Sequence, residues 1–461
     1  VLDLDAVEQT VARQLTLLDP SHRRGPLDET GRRANGGRTL AELIARYGTP
    51  GPSMPVQLCC GMGVDTAVIV TELIENEDAR VLLVADADGR ERLVRIELSD
   101  VDLVTAMTGN EFDETQEAME HHLLPVIRRA GLRYVQISRA GQSQEDGIVI
   151  LDDSRAPQRM FMRGPWALED ELATAGTVPQ TAAASRRCSY RAKGWPLDTW
   201  ATAEYGTTER IHIMGFASEE TARVQKDLSY SRATRRSVYP RQWGYDRQLC
   251  LEYLRARYGI EWPRSCCGYF PFAGGSRAKN ARIAERWRAQ PSAGVLSIWL
   301  ELLALALNPR MALFKTSTAW QVAHQHGLDR VLAAVQERLN ASRWAIYDVR
   351  RVFRPHGAKL GVAGDSSRKG RAWRSTHAVH SGSRAEMVAE ISSARDGSLD
   401  PGITPRRHLV VPRNVYPSCE RFLVAAPLAV ADKEERGFHE LWESTIAAQG
   451  TTRFAKESAD V

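Results

Sequence analysis

The feature that most constrains this chain is a short apolar run that ends in glycines and passes directly into an apolar helix. Val56–Cys60 has the length and composition of a buried strand, Gly61 and Gly63 break it, and Val64–Ile74 carries apolar residues suited to a buried helix. Strand, phosphate-sized turn and helix in this order form the repeating unit of an α/β domain. The pattern continues downstream. Strands are predicted at Asp102–Met107, Tyr134–Ser138 and Ile211–Phe216 with a helix over Glu114–Ala130, and Val81–Ala85 with Leu93–Leu98 flank an Asp88-Gly89 turn as a hairpin. Such alternation predicts a mainly parallel sheet flanked by helices, with its ligand crevice at the carboxyl ends of the strands.

At 461 residues the chain has room for about two or three domains. A Pro/Gly cluster at Pro50–Pro55 sets a boundary near residue 50. Residues 1–50 then hold an amphipathic helix, Leu4–Leu18, and an Arg-, Gly- and Asp-rich connector, Asp19–Arg38. Residues 51–275 make the α/β domain and 276–340 a helical segment. Residues 341–461 make a smaller α+β domain, with strands at Trp344–Phe353 and His408–Pro412, a helix near Ala385–Ser393 and a Gly/Ser/Arg-rich loop over Gly357–Gly382.

Composition narrows the class. Hydrophobic residues at 43% and charged residues at 26% describe a globular chain. The longest apolar helical stretch, Val295–Leu307, is interrupted by Ser297 and Glu301 and falls short of the ~18 residues of a membrane span, so it reads as a buried helix. Nothing at the N-terminus resembles a signal peptide, and seven cysteines, an odd number, point to a reducing cytoplasm rather than a disulfide framework. A net charge of +4 is too mild to argue for nucleic acid by itself. The cluster Arg368, Lys369, Arg371 and Arg374 around Trp373 is a candidate phosphate contact whose bland alternative is a solvated loop.

The turn Cys60–Thr66 is suited to phosphate or pyrophosphate, because glycines let the backbone approach an anion and the helix start supplies free N–H groups. A Walker loop needs a Gly-Lys-Ser/Thr ending, which is absent. A dinucleotide fingerprint needs a third glycine where Thr66 stands, although Asp86 lies at a suitable spacing for a ribose contact. The bland alternative is a tight strand-to-helix turn that holds no anion.

Several segments resemble the phosphoadenosine phosphosulfate (PAPS) reductase family of the PP-loop, adenine nucleotide α-hydrolase type. Gly61-Met62-Gly63-Val64-Asp65-Thr66 looks like a variant of its Ser-Gly-Gly-x-Asp-Ser turn, with Gly61 in place of the serine and Met62 in place of the second glycine. Thr108-Gly109-Asn110-Glu111-Phe112-Asp113-Glu114-Thr115 is similar to Thr-Gly-x-x-Phe-Pro-Glu-Thr, departing at Asp113. Arg186-Arg187-Cys188 with Lys193 and Pro196 resembles the basic segment. Gly215-Phe216 with Glu220, Thr221 and Arg223 resembles the later Gly-Arg-x-x-Glu-Ser stretch, with Ala217 in the arginine slot, and Tyr239-Pro240, Trp243 and Asp246 resemble Pro-Leu-x-x-Trp. The resemblance runs from about residue 56 to 273 and implies a Rossmann-like fold of the PP-loop type. It further implies that Gly61, Met62, Gly63, Val64, Asp65, Thr66, Thr108, Gly109, Glu111, Glu114 and Thr115 bind an adenine nucleotide, ATP or a PAPS-type molecule. Arg187, Lys193 and Arg223 would neutralise charge at the reacting phosphate, and Asp65 would orient a water or a Mg²⁺ ion.

The family pattern breaks at its cysteines. The Glu-Cys-Gly-x-His segment that carries the redox nucleophile is missing, and Cys419, in Pro-Ser-Cys-Glu-Arg, reads as an ordinary partly buried thiol. A Cys-x-x-Cys-Pro-Phe segment becomes Cys266-Cys267-Gly268-Tyr269-Phe270-Pro271-Phe272. Cys188, Cys250, Cys266 and Cys267 could supply four thiolates to an Fe–S cluster or zinc, but vicinal cysteines rarely reach one metal, so a metal-free site is favoured. His121-His122 and His324-Gln325-His326 lack the spacing that puts two imidazoles on one helix face.

The expected function is action at the α-phosphate of ATP, releasing AMP and pyrophosphate, in sulfur transfer or nucleic-acid modification and defence. The alternatives are a sulfonucleotide reductase with an unusual donor, and a catalytically silent nucleotide-binding accessory protein of a CRISPR or DNA-modification system. A nucleic-acid or protein partner would then use the C-terminal domain, and no membrane is involved.

Overall fold

A computed structural model describes residues 40–85, 90–179, 187–228, 235–238, 245–357, 365–393, 407–411 and 418–457. The helix expected at Leu4–Leu18, the connector after it, Asp86, the Asp88-Gly89 turn, Arg186, Tyr239, Pro240 and Trp243 lie outside these residues, as do the side chains of Arg187, Arg368, Lys369 and Arg371. The chain forms two compact units, Val1–Leu168 with Arg187–Cys267, and Glu169–Arg186 with Gly268–Val461.

The first unit opens with α1 (Leu40–Tyr47), β1 (Val56–Cys59), α2 (Val64–Glu75), β2 (Val81–Ala85), β3 (Glu91–Arg95) and β4 (Val101–Ala106). Next come α3 (Asp113–Ala118), a π turn over Met119–Leu123, α4 (Leu124–Arg129), β5 (Arg133–Arg139) and β6 (Ile148–Ser154). After α5 (Leu168–Ala175), which enters the second unit, a helical stretch from Arg187 with a π turn over Tyr190–Gly194 leads into α6 (Trp195–Tyr205). β7 (Arg210–Met214), α7 (Thr221–Leu228), β8 (Arg235–Val238) and α8 (Arg247–Tyr258) complete it.

Its sheet has the order β6-β5-β4-β1-β7-β8, parallel except for β6 at the edge beside β5. Every residue of β1 and β4 is buried, which is why both are nearly continuous apolar runs: a parallel strand covered on both faces has no solvent side. α2 is buried along most of its length and packs Val68, Ile69 and Leu73 into the same core as Leu58, Leu103, Tyr134 and Ile211. Each such side chain stabilises the unit by about 1.5–3 kcal/mol. The hairpin β2–β3 forms a separate two-stranded sheet, and α1, placed by the sequence reading before the domain boundary, packs Leu43 against Val81, Leu83 and Leu93.

The second unit carries α9 (Arg277–Ala289), α10 (Pro291–Leu307), α11 (Ala319–Gln325) and α12 (Asp329–Ala341). These are followed by β9 (Trp344–His356), β10 (Asp365–Gly382), α13 (Arg384–Ser393), β11 (Arg407–Val411), β12 (Ser418–Pro427), β13 (Lys433–Glu434) and α14 (Phe438–Glu457). The helical segment and the C-terminal sheet therefore belong to one unit. The sheet is antiparallel with the order β11-β12-β9-β10-β13, and α14 lays Phe438, Leu441 and Trp442 against Val352 and Cys419.

Two sequence expectations are corrected in this unit. The Gly357–Gly382 stretch is not a loop beyond residue 364: β10 pairs with β9 from Asp365 to Gly382, and its Ser375 and Thr376 are buried. Three register shifts along this pairing scramble the alternation that would have revealed a strand. Cys419 is fully rather than partly buried, on the unanticipated strand β12.

Among the described residues no single helix is long and apolar enough to cross a membrane. α10 is apolar on all sides because it is buried on all sides. Its one carboxylate, Glu301, accepts the N–H of Leu313 through Oε1 and that of Ala319, the first residue of α11, through Oε2, both at 2.7 Å. Burial nevertheless lifts its pKa from the ordinary 4.5 to about 7.

An acid whose folded pKa is raised binds its proton more tightly when folded. Its contribution is therefore fully present below about pH 4.5 and is lost as pH rises through 7. The expected loss is on the order of 3 kcal/mol across this window. Thermal unfolding between pH 4.5 and 8 should show a fall in Tm that Glu301→Gln flattens; equal slopes in both proteins would contradict it.

Candidate functional site

The chain leaves β1 towards β4 on one side, whereas β7 and β8 lie on the other, so the boundary between β1 and β7 is the switch point of the sheet. Loops diverge there and leave a crevice outside the carboxyl ends of the strands. The loop after β7 closes on the start of α2: a Cβ at Gly215 would lie 3.0 Å from Thr66 Oγ1 and 3.2 Å from Asp65 Cβ.

Between β1 and α2 the backbone turns through Met62, whose φ of +59° is the only positive value of a non-glycine residue among the described residues. That conformation costs about 1–3 kcal/mol and persists only where the surroundings impose it. Here Met62 is 2% exposed, and Trp262 Nε1 donates to its carbonyl at 3.2 Å. The Gly61 N–H donates to Thr66 Oγ1 at 3.3 Å, drawing the buried hydroxyl back over the turn. Gly63 caps α2 without a side chain, so the first N–H groups of this 12-residue helix have no intrahelical acceptor and carry the positive end of its dipole.

Asp65 stands in that first turn. Its Oδ2 pairs with Arg247 Nη2 at 3.0 Å, while Oδ1 is buried and has no hydrogen-bond partner among the described residues. Burial raises its pKa, and Arg247 opposes the rise. Arg247, the first residue of α8, escaped the sequence reading because the pair spans distant parts of the chain. The Asp246 N-cap beside it, which accepts the N–H of Leu249 at 2.8 Å, was the available signal.

The loop after β4 supplies the opposite wall. Gly109 has φ +100°, and a Cβ there would collide with that of Ala167; next to it, the Leu168 N–H donates to Thr108 O at 2.8 Å. The hydroxyls of Thr108 and Thr115 are buried with no hydrogen-bond partner among the described residues, whereas Glu114 is exposed. Glu111 forms an antiparallel bridge with Cys267 and buries its carboxylate to 2% exposure. Ser265 Oγ lies 3.1 Å from Glu111 Oε2 and 2.9 Å from Gly61 O, and Lys193 Nζ lies 3.5 Å from Glu111 Oε1. Ser265 thus ties the glycine turn to the second loop, a link the sequence reading missed.

The expected cations are placed differently. Lys193, on the π turn before α6, reaches Glu111. Arg223 pairs with Glu220 and stacks over Phe216 at 4.8 Å, half exposed but close enough to influence Asp65. Arg187 begins the helical stretch before α6.

The four-thiolate set is not assembled. Among the described residues no three His, Cys, Asp or Glu side chains form a group that could hold a metal. Cys250 is packed in the core with Cys60 and Trp262, whereas Cys266 and Cys188 neighbour Cys267. Burial, then the charge of Glu111, holds the Cys267 thiol well above its ordinary range.

A buried pair that sequence could not reveal is Cys59 Sγ with His212 Nε2, at 3.0 Å. Arg235 Nε donates to His212 Nδ1 at 2.9 Å, which leaves the imidazole proton on Nε2 and facing the sulfur. His212 therefore cannot act as a base towards this thiol, which burial pushes up to about 12.

Comparison with protein-family models, curated proteins and solved structures finds no match to this chain.

The geometry separates two glycines of the site. Gly109→Ala should destabilise by at least about 1–3 kcal/mol through its positive φ and the collision with Ala167. Gly61→Ala, whose Cβ would meet nothing closer than Thr66 Oγ1 at 3.7 Å, should change stability by under about 1 kcal/mol. Urea unfolding of the two variants measures the difference; equal losses would contradict it.

Proposed function

We propose that this chain is an adenine-nucleotide-binding enzyme of the PP-loop type, acting at the α-phosphate of ATP to release AMP and pyrophosphate, in sulfur transfer or nucleic-acid modification and defence. The observation that carries the reading is the uncapped start of α2 behind the left-handed Met62, set at the switch point with the buried, unpartnered Asp65 Oδ1 beside it. A phosphate at that position accepts backbone N–H groups and meets the helix dipole. The choice of adenine and of the α-phosphate comes from the resemblance of residues 61–66 and 108–115.

The turn contains no lysine, so compensating charge comes from outside it. Lys193, on the π turn before α6, and Arg223, in the first turn of α7, would neutralise charge that grows on the phosphate and the departing pyrophosphate. Arg187 has this role by resemblance. Magnesium binds typically through one or two carboxylates together with substrate phosphates. Asp65, with one oxygen held by Arg247 and the other unpartnered, fits that mode and would hold the ion. When bound, the ion would draw charge from the phosphate oxygens.

A reductase requires a thiolate. Burial holds Cys59, Cys267 and Cys419 as thiols, so none of these three supplies it.

Incubation of the protein with ATP and Mg²⁺, followed by separation of nucleotides, should give AMP and pyrophosphate, and Asp65→Ala should slow this by about 10²-fold. Arg223→Ala should weaken nucleotide binding by about tenfold. ATP that is bound and left intact, or cleaved to ADP, would contradict the reading.

A further inference from the structure

Ser265 and Glu111, with Lys193 beside them, have no role so far beyond tying the glycine turn to the loop after β4. The serine hydroxyl has one proton and two acceptors, Gly61 O at 2.9 Å and Glu111 Oε2 at 3.1 Å. Glu111 is almost wholly buried, and among the described residues its Oε1 makes no hydrogen bond and has Lys193 at 3.5 Å as its charge partner. A nucleophile, a base in hydrogen-bond reach and a third group holding the base is the arrangement of covalent catalysis. Its location is specific. A Cβ built on Gly63, the cap of α2, would lie 3.7 Å from Ser265 Cβ, so the hydroxyl stands beside the turn that would hold the phosphate.

We propose that Ser265 is the first acceptor of the adenylyl group, so that the chain passes through an adenylyl-serine intermediate. The inference rests on the proposed action at the α-phosphate. Ser265 Oγ attacks the α-phosphorus, the Oγ–P bond forms, and the bond from the α-phosphorus to the pyrophosphate oxygen breaks. Pyrophosphate leaves with that electron pair, and the serine proton passes to Glu111. Water then attacks the same phosphorus, the Oγ–P bond breaks, Glu111 returns its proton to Oγ, and AMP and one proton are released. Lys193, 3.5 Å from Glu111 Oε1, holds that carboxylate in place and faces the charge that builds on the phosphate. Neighbouring Cys267 does not compete, because its thiol stays protonated.

The test uses the full chain, ATP labelled at the α-phosphate, Mg²⁺ and acid quenching on the time scale of one turnover. Label retained on the denatured protein should map to the peptide containing Ser265, should be absent in Ser265→Ala, and should form at least about tenfold more slowly in Glu111→Gln. Labelled pyrophosphate should exchange into ATP with the wild-type protein and not with Ser265→Ala. AMP and pyrophosphate formed without retained label, at the same rate in Ser265→Ala, would overturn the serine intermediate while leaving α-phosphate chemistry in place. No binding and no AMP with a folded wild-type protein would overturn that chemistry and the intermediate with it.

Discussion

The indole N–H of Trp262 donates to the carbonyl of Met62, and this bond holds a left-handed residue between β1 and α2. A methionine does not take that conformation unaided, so its place in the turn depends on burial of its side chain and on this tether. With the turn so directed, α2 begins on a glycine that offers no side-chain cap to its first N–H groups. Thr66 folds back on Gly61, and Gly215 allows the loop after β7 to reach the same point. Relaxation of Met62 to negative φ would redirect all of these together.

Charge is arranged around the turn rather than within it. Asp65 places a partly buried carboxylate where the helix dipole already favours negative charge, and Arg247 offsets its desolvation. Across the crevice, Glu111 and Lys193 repeat the pairing of a buried acid with a more exposed base. Among the described residues, each pair leaves one carboxylate oxygen without a hydrogen bond.

Much of the first sheet was legible from residue order alone. Buried parallel strands are rich in apolar residues, so β1, β4 and β7 stood out despite Gln57, Asp102, Thr105 and His212, and the glycines after β1 located the turn. What escaped was long-range. Ser265 meets Glu111 across 154 residues and Cys59 meets His212 across 153, pairings that no local spacing encodes. In the second unit, bulged pairing hid β10 behind the composition of a loop, and polar residues at the start of β12 concealed that strand around Cys419. Met62 illustrates the converse: its side chain suggested nothing unusual, and only the fold makes it do what glycine does elsewhere.

The central claim is that a nucleotide phosphate sits on the turn between β1 and α2. Backbone hydrogen exchange with and without a non-hydrolysable ATP analogue tests it most directly, because it reports the amides themselves. The account predicts slowed exchange at Gly61–Thr66, with smaller protection at Thr108–Glu111. Protection confined to other segments, with the turn exchanging at its unliganded rate under saturating nucleotide, would contradict it.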